Sequence, residues 1–301
     1  MALATPQPYT VAAAHASTSQ RSWAAMCKFV RTKPLGAAGV AVILVMAFAA
    51  VFADFIAPYD AYELNQRLQF RAPTLAHWLG TDEFGRDVLT RLIYGARIAL
   101  FIGLASSFIG ATAGAILGVV SAYMGGKVDL ILQRVMDVML AFPLLILALA
   151  IVSVLGRSLP NVVLAIAIPI IPRTTRIVRS SALSIKEHVY VEAARAVGSS
   201  HPWVILRHII PNTMAPYLIM LTAQFGNAIL VEASLSFLGL GTAEPTPSWG
   251  LMLSGGAVSY AEKAPWVAIF PGLAISLAVF GFNLFGDSLR DALDPKLRHR
   301  T

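Results

Sequence analysis

Charge is scarce in this chain: only 13% of its 301 residues are Asp, Glu, Lys or Arg, where a soluble domain carries about 25%. Together with 57% apolar residues and a mean hydropathy of +0.69, that scarcity excludes a single soluble globule of this length. Cysteine is nearly missing too. With Cys27 alone, an intrachain disulfide, a cysteine-based zinc site and a thiolate-held iron–sulfur cluster are all excluded. The usual marks of catalysis are also absent. Gly125-Gly126-Lys127 is followed by Val128 and lacks both the spaced upstream glycine and the Ser/Thr with which a phosphate-binding P-loop holds Mg²⁺. No HExxH zinc helix and no GxSxG elbow occurs, and no serine has a clear His and acid partner. Hence no catalytic residue, metal ligand or cofactor site is assigned to this chain. The net charge of +7 does not point to nucleic acid, because the basic residues are scattered around apolar blocks and form no stripe.

What the chain has instead is long apolar runs. A helix needs about 20 apolar residues to cross the roughly 30 Å hydrocarbon core. Six blocks of that order run over 35–57, 98–123, 131–154, 160–178, 216–237 and 265–285. The first holds Ala-x-Ala patterns but exceeds the 7–15 residues of a signal-peptide core and lies far from the start, so it reads as an uncleaved span. The reading is an all-α membrane protein of six transmembrane helices. Sixteen of the 23 Lys and Arg fall on one side if both termini are cytoplasmic, against seven on the other, which favours that orientation. The first outer loop, with five arginines, fits it worst. Four regions follow: a cytoplasmic tail (1–34), a first span and outer loop with an elbow helix (35–97), a core bundle with a cytoplasmic loop at 181–213 (98–287), and a cytoplasmic tail (288–301).

Gly103, Gly110, Gly114 and Gly118 would let helix backbones approach closely, and Pro169 with Pro172 predicts a kink in the fourth span. Polar residues at membrane depth are few: Gln224, Asn227 and Glu232, then Asn283 and Asp287. Glu232 belongs near the outer interface or a wet cavity, since a mid-membrane acid costs about 2.5–3.5 kcal/mol on insertion scales. Residues 86–97 place Leu89, Leu92, Ile93 and Ala96 at helical spacing, an amphipathic elbow.

The longest cytoplasmic connection contains VEAARAVGSSHPWVILRHIIPN, residues 191–212. A short Ala-rich helix would end at Gly198 in positive φ, Ser199 and Ser200 would cap a second helix with Pro202 in its first turn, and that helix would stop before Pro211. An apolar unit flanked by Arg195 and Arg207 suits either a docking element for a soluble partner or a segment lying on lipid headgroups. The residues alone leave both open.

The stretch from Glu192, Ala193 and Ala194 through Gly198 to Pro211 resembles the EAA loop of binding-protein-dependent ABC importer permeases, departing from it mildly at His208 and Ile210. HWLGTDEFGRDVLTRLIYGAR (77–97), ASLSFLGLGTAEPTPSWGLML (233–253) and FNLFGDSLRDALDP (282–295) resemble segments of the dipeptide/oligopeptide/nickel branch, specifically its second permease subunit. The resemblance implies a type I importer permease fold with a paralogous permease partner, two ATPase subunits that hold ATP and Mg²⁺, and a periplasmic binding protein. It also implies an ATPase-coupling role for Glu192, Ala193, Ala194, Gly198, His201, Pro202, Trp203, Arg207, His208 and Pro211. Gln224, Asn227 and Glu232 become candidates for the translocation path. Asp82, Gly85, Arg86, Asp87, Pro247 and Trp249 become candidates for outer-loop contact with the binding protein or for bracing. Location in the bacterial inner membrane and uptake of di- or oligopeptides follow, with nickel or another small solute as the alternative within the family. An ion-coupled secondary transporter is the rival from another class, though neither inverted repeats nor buried ion-coupling acids are seen.

Overall fold

The computed structural model describes residues 33–260 and 262–293, apart from the side chains of 255–259. Most of the expected N-terminal tail, with Cys27, and residues 294–301 of the expected C-terminal tail lie outside the described residues. Apolar runs that leave water must satisfy their own backbone groups, and a helix does so within one segment. The helices in chain order are α1 (Pro34–Val51), α2 (Ala53–Ile56), α3 (Val88–Met124), α4 (Gly126–Leu140), α5 (Leu144–Leu155), α6 (Leu159–Lys186), α7 (Val189–Ala196), α8 (His201–Val204), α9 (Ile210–Phe237), α10 (Trp249–Tyr260) and α11 (Trp266–Leu293). Among the described residues there is no strand beyond one isolated bridge, Thr81 to Asp87. Among the described residues, five helical segments are long and apolar enough to cross a membrane, and α4 with α5 makes a sixth if the bent pair counts as one.

Three expectations need correction. The third block is not one straight span: α4 and α5 meet at 93°. Pro143 sits at the break with ψ 135°, where its ring bars the preceding residues from continuing the helix into it. The elbow is not a separate helix either. Asp87 caps α3, accepting the Thr90 N–H at 2.8 Å, and the helix then runs for 37 residues, about 55 Å, through the elbow and the second span together. The first span is shorter than expected, breaking at Phe52 before α2. Pro169 and Pro172, the pair on which a kink was expected, are buried inside α6.

The glycine series does what its spacing suggested. A Cβ on Gly110, Gly114 or Gly118 would lie 2.5–2.7 Å from the carbonyl oxygens of Ala167, Ile171 and Thr175, so bare glycine lets α3 seat on the α6 backbone. At the C-terminal end of α6, Arg179 holds Asp129 of α4 through two contacts of 2.5 and 2.6 Å, and Arg176 holds Asp137. Gly114→Ala is expected to insert normally but to destabilise the bundle by about 1–3 kcal/mol, the usual cost of overpacking. A lowered thermal midpoint of the purified protein in detergent checks this; an unchanged one would mean the seam yields.

Candidate functional site

The loop between α6 and α9 is built on one buried face. Val191 and Ala194 of α7, with Val204 and Ile209 beyond it, pack against Val119, Ala122 and Tyr123 of α3 and against Val178, Ala182 and Ile185 of α6. Helix α7 ends in a Schellman closure: Ser199 N–H donates to Ala194 O at 3.1 Å and Gly198 N–H to Arg195 O at 2.9 Å, with Gly198 at φ +83°. That φ is why glycine stands here, since a side chain would cost about 1–2 kcal/mol in the left-handed region. Ser200 occupies the cap position of α8 but its side chain makes no capping bond, contrary to expectation. Pro202 lies in the first turn as expected.

The second helix does not stop before Pro211. Residues Ile205–Ile209 form a π turn, Ile210 N–H donates to Ile205 O, and the chain continues into α9. The widened turn accommodates a proline that has no N–H to give and would otherwise crowd the carbonyl one turn back. The second half of the loop, from His201 on, and the fifth span are therefore one rod. Aromatic contacts tie α7 and α3 to it: His208 stands 4.9 Å from Trp203 and 5.7 Å from Tyr190 of α7, while the Tyr123 hydroxyl of α3 and His201 Nδ1 are 2.7 Å apart. The Arg195 guanidinium lies 5.0 Å over the Tyr123 ring.

The outward face is apolar. Val197 is 81% exposed and Leu206 65%, with Val189, Tyr190 and Trp203 beside them. Of the residues singled out from sequence, Glu192, Ala193, Gly198, His201, Pro202, Trp203, Arg207 and Pro211 are exposed, His208 is half-buried, and Ala194 turns inward. Val189 and Val197 were overlooked. Their signal is their i, i+8 spacing through Ala193, which puts all three on one helical face.

Asp82, Gly85, Arg86, Asp87, Pro247 and Trp249 are all buried. Asp82 pairs with Arg86 at 2.6 Å and lies 3.7 Å from Arg91, and Arg86 reaches Glu244 at 2.9 Å, tying the loop before α3 to the one after α9. Burial opposes the Arg86 charge, but Asp82 and Glu244 outweigh it and hold its pKa above the ordinary arginine value. Burial pushes the Glu83 carboxyl above the usual carboxylate range. Asp87 also meets His77 Nδ1 at 3.0 Å, and Trp249 donates to Leu92 O at 2.9 Å across the space left by Gly95. A side chain on Gly85, at φ +73°, would strike the Asn65 carbonyl. Five of the six thus make contacts within the chain, and Pro247 is buried beside Trp249 in the sequence.

Glu232 is 1% exposed and accepts the hydroxyls of Ser236 and Ser248 at 2.7 and 2.9 Å. Gln224 is buried and accepts the Asn227 amide at 3.1 Å. These three are spread along α9, and none of them lines the cavities beside Ala223 and Ala233.

A bundle of candidate spans with a rigid, apolar-faced loop at one end has the build of a membrane-embedded transport subunit. Residues 110–299 match the binding-protein-dependent transport system inner membrane component family, and the chain belongs to it. Residues 22–73 match the N-terminal transmembrane domain of oligopeptide transport permease C. The chain is 40% identical over 296 residues to the dipeptide transport system permease protein DppC of Alkalihalophilus pseudofirmus, covering 98% of this chain and 97% of that one. It is 45% identical over 258 residues to the glutathione transport system permease protein GsiD of Escherichia coli, covering 85% and 84%. A chain of the inward-facing MetNI methionine ABC transporter shares the fold, with a TM-score of 0.56 at 16% identity over 68% of this chain and 96% of that one.

Proposed function

We propose that this chain is the second permease subunit of an ATP-driven peptide importer of the bacterial inner membrane, and that it performs no catalysis itself. It pairs with a paralogous permease; two ATPase subunits bind ATP and Mg²⁺, and a periplasmic binding protein delivers di- or oligopeptides. Both termini are cytoplasmic in this reading. The observation that carries it is the continuity of the apolar-faced loop with α9. Closure of the ATPase dimer against Glu192, Ala193, Gly198, Trp203 and their exposed neighbours pushes on a rod that is itself a wall of the bundle. The binding protein meets side chains exposed on the 52–87 loop, such as Leu64, Leu75 and Trp78, while the buried ion pairs hold that loop in shape.

Proteoliposomes holding both permeases and both ATPase subunits, with the binding protein added, are expected to accumulate labelled dipeptide only when ATP is supplied on the ATPase side. Accumulation driven by an ion gradient without ATP would favour a secondary transporter. Uptake of nickel in place of peptide would move the assignment to a nickel importer of the same branch.

A further inference from the structure

A cavity of about 540 Å³ opens between α6, α9 and α11, in the half of the bundle nearest the 187–209 loop. Arg173 reaches it from the middle of α6, and Asn283, Asp287 and Arg290 from the last turns of α11. Among the described residues, Arg173, Asp287 and Arg290 form no ion pair, although their helical neighbours do: Arg176 with Asp137, Arg179 with Asp129, and Asp291 with Lys33. Charges inside membrane-spanning helices are costly and persist where they face a wet cavity with something to bind. This cavity has two arginines and one carboxylate, in a volume within the range of about 300–1,000 Å³ of small-molecule sites. Its remaining wall is small or apolar: Met220, Ala223 and Gly286.

We propose that this cavity is a binding station on the translocation path that holds a zwitterionic peptide by its ends, with the carboxylate on Arg173 and Arg290 and the ammonium on Asp287. Charge-assisted hydrogen bonds of this kind distinguish a free peptide from one with blocked termini. The assignment rests on the peptide-importer reading. It adds a means of release, because the wall residues Pro216, Met220 and Ala223 belong to α9, the rod that the loop drives.

The test uses the assembled permease–ATPase complex in nanodiscs without binding protein, so that the binding protein's own selectivity is bypassed. Cys27→Ser removes this chain's only thiol, and Asn283→Cys places one in the cavity. Labelling of this chain by anionic and by cationic methanethiosulfonates is read by intact mass. The anionic reagent is expected to react faster, and Arg173→Gln to cut that preference about fivefold, as for an ion pair in a partly wet site. Dialanine is expected to protect the thiol, and N-acetyl-dialanine amide to leave it reactive. Equal rates without protection would overturn the proposal, as would a thiol that is unreactive because the partner permease fills the space. If the Asn283→Cys complex still imports dipeptide with its binding protein, either negative result counts against the station and leaves the importer reading standing.

Discussion

A transporter with Val197 and Leu206 both replaced by aspartate is expected to insert, to pair with its partner permease, and to lose its ATPase subunits. Both side chains point away from the bundle and are largely exposed, so neither substitution removes a contact that holds this chain together. Each contributes apolar area only when something covers it. Burying a side chain of this kind is worth about 1.5–3 kcal/mol, and an unpaired carboxylate at a covered site adds a desolvation cost. The pair together would weaken docking at least about a hundredfold, given about 1.4 kcal/mol per tenfold. Co-purification of the ATPase subunits with tagged permease measures the effect, and the melting midpoint of the isolated permease serves as control. Retention of the ATPase subunits at wild-type stoichiometry would show that this face is not where they sit. In that case a loop resting on lipid headgroups would become the better account of the same apolar surface.

How much of this was legible follows from the range over which each feature is decided. The spans are local, because an apolar run of about 20 residues has few alternatives. The α3–α6 seam was also legible, since glycines at four-residue spacing mark a face that needs a close neighbour. Gly198 was foreseeable because only one backbone conformation ends a short helix that way. The break at Pro143 was missed because one proline hardly lowers the mean hydropathy of a run of Phe, Leu and Ile, and hydropathy carries no direction. Pro211 misled for the opposite reason: it reads as a stop, but the π turn before it absorbs the missing donor. Two of the five arginines before the second span looked anomalous because they have partners far off in the chain. Arg86 meets Glu244 across 158 residues and Arg97 meets Asp54 across 43. Paired in this way, these two no longer present free positive charge at the membrane surface, whereas Arg67 and Arg71 form no ion pair among the described residues. The cavity with Arg173 was the least legible, being assembled from three helices that only the folded bundle brings together.

Asp82→Ala is expected to cause the largest loss of stability of any single substitution in the loop before α3. The Asp82 carboxylate makes four contacts: Oδ1 accepts the Phe84 and Arg86 N–H groups, both at 2.9 Å, and Oδ2 takes Arg86 Nε at 2.6 Å and lies 3.7 Å from Arg91 Nε. Alanine removes all of them and leaves two buried guanidinium groups behind. Arg86 keeps Glu244, but Arg91, fully buried, keeps only the Ala61 carbonyl at 3.3 Å. Leaving a buried charge unpaired typically costs about 3–5 kcal/mol, far more than the pair itself contributes. Asp82→Asn, which keeps an acceptor for the two backbone donors while losing the charge, is expected to fall between wild type and alanine. Asp54→Ala serves as the contrast, because its pair with Arg97 is exposed and water replaces the lost partner. The order of thermal midpoints in detergent should therefore be wild type close to Asp54→Ala, then Asp82→Asn, then Asp82→Ala. Peptide uptake should follow the same order, since the Arg86–Glu244 tie across the two outer loops depends on Asp82 to hold Arg86 in place. If Asp82→Ala melts with Asp54→Ala, the loop is held by its backbone and aromatic contacts, and the buried charges would need another reason to be there.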